Sequence, residues 1–205
     1  MMDYMERQQM VVDRFKALTF AQLIADGVLT ADQAVTLTEA IRARKTVVIA
    51  GPTATGKTTL LQAIANEAIA SSEDIKVAVI ESPEELVCGD VRQVRYQVSE
   101  SLPASVQIRR ATREGAHWLI VGELRQGADT AEFLAGAACG VAGVTTMHLP
   151  HQHASTVDSV QKLLAWLIAD EEVAARGLPE SIDLVVLTAP SPVRVLAITP
   201  MDRSA

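Results

Sequence analysis

The sequence predicts an α/β fold built on a mainly parallel sheet, and three observations lead there. Short β-branched runs alternate along the chain with segments of helical period, the pattern of parallel strands joined by crossover helices. Aromatic residues make up only 3% of the 205 residues while 49% are apolar. The core is therefore assembled from Ala, Val, Leu and Ile, as suits strands buried on both faces. Finally, a β-branched run at 46–50 breaks at Gly51-Pro52 and opens into a run of good helix formers from Lys57.

Taken in order, residues 1–16 read as a polar helix or a frayed arm. Thr19 caps a short helix through Ile24, which Gly27 ends as a left-handed cap. Thr30 and Gln33 form a capping-box pattern that opens a helix to about Arg44. Leu23, Ile24, Val35, Leu37 and Ile41 are the expected apolar stripes of these two helices. Strands follow at 46–50, 75–80, 118–121, 144–147, 183–187 and 193–198, with an alternating stretch at 91–98. Helices are expected at 57–70, 103–114, 130–139 and 154–170, the last with a core-facing stripe of Val157, Val160, Leu164 and Leu167. The boundary expected near Arg44 divides a helical arm or linker remnant, 1–43, from the α/β domain, 44–205.

The bulk numbers exclude several classes. A net charge of −7 disfavours a counterion-releasing grip on a nucleic-acid backbone. No apolar run reaches the roughly 20 residues that span a bilayer, and the N-terminus has no signal-peptide core. A cytoplasmic setting is expected. There Cys88 and Cys139 read as two buried thiols rather than a disulfide. The cluster of His148, His151 and His153 lacks a partner at zinc-site spacing.

Gly51-Pro52-Thr53-Ala54-Thr55-Gly56-Lys57-Thr58 fits G-x-x-x-x-G-K-[ST] without mismatch, between a strand and a helix. The glycines permit a tight turn whose N–H groups converge on phosphate oxygens. The helix N-terminus presents its positive end to the same anion. Lys57 reaches the β and γ phosphates, Thr58 offers a hydroxyl to Mg²⁺, and Thr59 lies beside it. These residues predict a Mg-nucleotide site of the P-loop kind.

Such a loop needs carboxylates for the metal and the attacking water. Glu123 follows the strand at 118–121 in the position of a Walker B acid, able to polarise water aimed at the γ-phosphate. Glu81 follows the strand at 75–80, with Glu84 and Glu85 just beyond. Parallel strands bring their carboxyl ends to one sheet edge, which places Glu81 and Glu123 on the loop side. Thr58, Glu81 and Glu123 are the candidate metal residues; a solvated loop carboxylate is the alternative for each acid.

Several spaced motifs together resemble the secretion ATPases of type II and type IV systems and pili, above all the conjugal-transfer (TrbB-like) branch. The resemblance runs from about Phe15 to Ala197. Ile80-Glu81-Ser82-Pro83-Glu84-Glu85-Leu86 is similar to the family's Asp box, Val121-Gly122-Glu123-Leu124-Arg125 to its Walker B box, and Thr145-Thr146-Met147-His148 to the end of its His box. The resemblance implies a RecA-like domain that binds ATP and Mg²⁺ and hydrolyses ATP. It implies roles for Glu81, Glu85, Glu123, Arg125 and His148, and for Arg109 and Arg113, whose four-residue offset puts both on one helix face. For the arginines a solvated basic face is the alternative, and for His148 a satisfied core histidine. The resemblance further implies a homo-hexameric ring at the cytoplasmic face of the inner membrane. Membrane association would run through secretion or conjugation partners, without direct nucleic-acid binding.

There are departures. Ser82 stands where the Asp box has aspartate, Val141 where a second histidine is expected, and Pro52 and Ala54 where this loop commonly has glycines. Family members carry a large N-terminal domain that helps enclose the base; at most its last few dozen residues are expected here, with Arg14 and Phe15 placed to touch the nucleotide. These departures leave two other readings open: a nucleotide-binding assembly or regulatory subunit with little turnover, and a DNA-translocating RecA-like ATPase.

Overall fold

A computed structural model describes residues 4–149, 156–168, 181–190 and 192–201. Helices α1 (Tyr4–Lys16), α2 (Phe20–Ala25) and α3 (Ala31–Arg42) precede strand β1 (Val47–Gly51) and helix α4 (Lys57–Ala70). Then come β2 (Val77–Glu81), β3 (Gln93–Gln97), α5 (Ala104–Arg113), β4 (Trp118–Val121), α6 (Gly127–Ala138), β5 (Ala142–His148), α7 (Val157–Ile168), β6 (Leu184–Pro190) and β7 (Val193–Pro200). The strands form one seven-stranded sheet in the order β3-β2-β4-β5-β1-β6-β7. Every pairing is parallel except β6 with β7.

Period-two alternation divides the strand residues between two cores. Val47, Ile49, Val77, Val79 and Ile120 face α2, α3 and α4. Val48, Ala50, Ala78, Ile80 and Val121 face α5, α6 and α7. Burial on both faces explains why β1, β2 and β4 are apolar up to their carboxyl ends, while β5 also buries Thr145 and Thr146. Helices α2 and α3 share the first core through Leu23, Leu37 and Ile41, whereas Ile24 and Val35, expected in the same stripe, are 37% and 56% exposed. The buried face of α3 is Ala34, Leu37, Ala40 and Ile41 and that of α2 is Phe20 and Leu23, and Val35 and Ile24 each lie one residue off it.

Local capping follows the sequence closely. Thr19 accepts the Gln22 N–H, both halves of the Thr30–Gln33 capping box are formed, and Gly27 adopts φ +73°. Helix α6 begins at Gly127, three residues before the expected start: the Thr130 N–H already bonds to Gln126 O (3.1 Å), and Asp129 in the first turn accepts the Ser105 N–H (2.8 Å). The described part of α7 keeps Val160, Leu164 and Leu167 in the core; both expected ends of that helix, and His151 and His153, lie outside the described residues. Both cysteines are free thiols, and Cys139 is exposed rather than buried, since it caps α6 where the last turn meets solvent.

One polar stripe along α4 ties two segments to the body. Thr58, Gln62 and Asn66 lie four residues apart, on one helix face. The Gln62 side chain donates to Val87 O (3.2 Å) and accepts Val87 N–H (2.8 Å), and it also donates to Asn66 Oδ1 (3.0 Å). Asn66 in turn donates to Phe15 O (3.0 Å) and Leu18 O (2.9 Å), fixing the α1–α2 junction.

At the far end of the sheet Tyr96 donates to Glu114 Oε2 (2.7 Å) beneath the Arg110 guanidinium. Burial, then this hydrogen bond, pushes its phenol from 10.0 up to about 12. The folded protein thus holds this proton more tightly than the unfolded chain, and the stability Tyr96 contributes is complete below pH 10.0 and lost as pH rises toward about 12. We expect absorbance titration at 295 nm to show a late tyrosinate transition that Tyr96→Phe removes.

Candidate active site

The carboxyl ends of β1, β2, β4 and β5 open into one cleft of about 940 Å³. Its floor is the loop between β1 and α4. Gly51 is the last residue of β1, where an added Cβ would stand 2.7 Å from Thr188 O. Gly56 lies at φ +77°, with Val193 Cγ1 2.8 Å from where a Cβ would be. The chain can pass these points only without a side chain. Ala54 takes φ +60°, a left-handed conformation that costs an alanine about 1–2 kcal/mol. The common glycine at this position would be unstrained, so the loop carries stored backbone strain.

Lys57 Nζ donates to Gly51 O (3.0 Å) and Pro52 O (2.7 Å). Burial lowers its pKa, and the nearby Glu123 charge acts in the opposite direction. An ammonium that donates, among the described residues, to neutral carbonyls in a half-buried site is poised to take a stronger anionic partner. Thr58 Oγ1 donates to Glu85 Oε2 (3.0 Å), which brings the expected hydroxyl and one expected carboxylate together. Thr53 Oγ1 lies 3.4 Å from His148 Nδ1, in register with Gly51 across β1 and β5. With the first turn of α4 behind it, the loop can receive an anion.

Glu123 lines the same cleft, its Oε2 accepting both Arg125 Nε (2.9 Å) and Nη2 (2.7 Å). Glu81 is there too, 8% exposed, but its carboxylate is already engaged. It accepts the Leu86 N–H (2.9 Å to Oε1) and pairs with Arg95 Nη1 (2.6 Å), while Arg95 Nη2 donates to Leu86 O (2.6 Å). This knot shapes the 82–87 segment so that Glu85 reaches Thr58. Sequence reading missed Arg95; the signal available was an arginine in the middle of an alternating strand.

Arg109 and Arg113 are not brought to this cleft. The amino end of α5 touches it through Pro103 and Ala104, and the helix then runs away. At 1.5 Å per residue, Arg109 is about 8 Å and Arg113 about 14 Å along the axis from Ala104. Arg109 pairs instead with Glu132 of α6, and Arg113 is exposed. Arg14 pairs with Asp26, and neither it nor Phe15 lines the cleft.

A family model described as type II/IV secretion system protein matches residues 5–188. The chain belongs to this family. Among relatives of the type II/IV secretion family, it is 28% identical over 165 residues to a probable conjugal transfer protein TrbB of Sinorhizobium fredii, covering 80% of this chain and 49% of that protein. The crystal structure of the VirB11 ATPase from the Brucella suis type IV secretion system, in complex with sulphate, superposes with a TM-score of 0.71 at 22% identity, over 90% of this chain and 56% of that one. The Legionella pneumophila ATPase DotB superposes at 0.60 with 29% identity, over 75% and 43%. The fold is thus that of the RecA-like secretion ATPases, and the chain spans about half the length of the curated relatives it matches.

Proposed function

We propose that this chain binds ATP with Mg²⁺ in the cleft and hydrolyses it, as the P-loop motor domain of a conjugal-transfer or related type IV secretion ATPase. The observation that carries the reading is the convergence of Lys57, Thr58, Glu85, Glu123 and His148 on one loop at the carboxyl edge of the sheet.

The residues fit the ligand. Gly51 and Gly56 leave the loop backbone bare where phosphate must approach, and among the described residues the Lys57 ammonium is held by carbonyls that phosphate oxygens can replace. Among the described residues no group of three or more His, Cys, Asp or Glu forms a metal cage. Mg²⁺ needs none, because it takes most of its ligands from phosphates and water. When bound, the ion neutralises charge on the β and γ phosphates. Thr58 would hold it through its hydroxyl, and Glu85 would hold the Thr58 hydroxyl in place. Glu81, through Arg95 and Leu86, fixes Glu85 and serves the metal at one remove. Glu123 orients the attacking water and takes its proton as the new O–P bond forms and the β–γ bridging bond breaks. To do so it leaves Arg125, which becomes free to face the γ-phosphate beside His148.

Arg109 and Arg113, exposed and remote from their own cleft, serve a neighbouring copy across a ring interface. This supports self-association, expected as a hexamer, docked on secretion-machinery partners at the inner membrane. Among the described residues no helix is long and apolar enough to cross a membrane.

A second reading, a nucleotide-binding assembly subunit with little turnover, draws on the Glu123–Arg125 pair, which occupies the water-activating carboxylate. Mass in solution with and without a nonhydrolysable ATP analogue, alongside steady-state hydrolysis, tests the proposal. Nucleotide-dependent rings with turnover are expected; tight binding by a monomer that never turns over would support the assembly reading.

A further inference from the structure

Strand β6 carries no recognised motif, yet one of its residues lies directly behind the loop. The β1–β6 ladder ends at Ala50 and Leu187. The next residue, Thr188, therefore stands beside Gly51 at the point where β1 leaves the sheet. The β6–β7 pairing shifts register between Leu187 and Thr188, leaving Leu196 of β7 without a partner in the ladder. The extra residue bends β7 at this point, opposite Thr188.

Thr188 is 2% exposed and Thr55 1%. Thr188 Oγ1 donates to Thr55 Oγ1 (2.7 Å) and stands 3.3 Å from Ala50 O, and Thr55 Oγ1 donates to Pro52 O (2.9 Å). Pro52 O is also the nearer of the two carbonyls that hold Lys57. Two buried hydroxyls thus run in series from the sheet to the carbonyl that fixes the lysine. Val193, at the start of β7, backs Gly56 in the same way that Thr188 backs Gly51. The β6–β7 hairpin therefore supports both ends of the loop.

We propose that Thr188 is a positioning residue for nucleotide binding. Its hydroxyl holds Thr55, and through Thr55 the crown of the loop, in the phosphate-receiving shape. That shape includes the strained Ala54, which the strut helps to hold. When Lys57 leaves Pro52 O for phosphate, the Thr55 hydroxyl still holds that carbonyl, so the loop keeps its curvature. The inference rests on the nucleotide-binding reading.

Thr188→Val keeps the β-branched shape and deletes the hydroxyl; Thr188→Ser keeps the hydroxyl. The expected result for T188V is a KM for ATP·Mg²⁺ and a Kd for ADP raised about tenfold, the size of one lost buried hydrogen bond. Its kcat should stay within about twofold, because a loop shaped before binding acts equally on ground and transition states. T188S should return Kd to within about twofold of wild type. Thr55→Val breaks the series one link later and should raise the ADP Kd by a similar factor, with the double variant binding no more weakly than either single, as for members of one chain. It also reads the proposal should T188V fail to fold. Wild-type affinity in T188V, equal loss in T188V and T188S, or additive losses in the double variant would overturn the inference. Absence of ADP binding by the wild-type chain would instead overturn the nucleotide reading beneath it.

Discussion

Lys57→Ala is expected to lose nucleotide affinity by a factor of roughly 100 or more while keeping its melting temperature. The affinity loss corresponds to about 3 kcal/mol, the worth of one or two charge-assisted hydrogen bonds to phosphate. The sign of the pKa shift argues against a loss of stability. Burial lowers the Lys57 pKa from its ordinary 10.5, so the folded state binds this proton less tightly than the unfolded chain. Charging Lys57 therefore opposes folding, and stability rises with pH as the folded form loses the proton below that ordinary value. Deleting the ammonium removes a desolvated charge, and Gly51 O and Pro52 O lose only a donor. Calorimetric titration with ADP and a thermal melt on the same sample check both halves. Binding within about threefold of wild type would remove the loop from the mechanism.

Glu123→Gln is the second large effect, and it separates binding from chemistry. Losing a general base costs about 10²- to 10⁴-fold in turnover, so steady-state hydrolysis should fall by that much while ADP affinity holds or improves. The glutamine oxygen can still accept from Arg125, so the fold around the 122–125 turn is kept. The Glu123 charge opposes the lowering of the Lys57 pKa, so in this variant Lys57 should titrate lower still, readable in the pH dependence of its modification by an amine reagent. Undiminished hydrolysis would transfer the water-activating role elsewhere, with Glu85 the next carboxylate to test.

The parts of the site legible in the sequence are those fixed by local backbone chemistry. Gly51, Gly56 and Lys57 announce a strand, a turn and a helix start within eight residues, and the structure places them so. The Thr19 cap and the Thr30–Gln33 box are equally local and equally readable. What escaped depends on contacts distant in sequence. Arg95 meets Glu81 only because β3 lies beside β2, and Thr188 meets Thr55 across 133 positions. Arg109 and Arg113 were readable as one helix face, but not the direction in which that helix runs from the cleft. The exposure of Ile24 and Val35 has the same origin: periodicity identifies a stripe, and only the packed neighbours decide how much of it is covered.

The stripe of Thr58, Gln62 and Asn66 has a mechanical consequence. The eight residue steps from Thr58 to Asn66 make a rod about 12 Å long, fastened at one end to the segment carrying Glu85 and at the other to the chain entering α2. A helix pinned on one side at three successive turns cannot roll about its own axis without breaking all three attachments together. Sliding or tilting of α4 that keeps these bonds carries both segments with it, which links the lysine end to Phe15 and Leu18. The α1–α2 junction and the Glu85 segment are thus mechanically joined through the helix behind the loop.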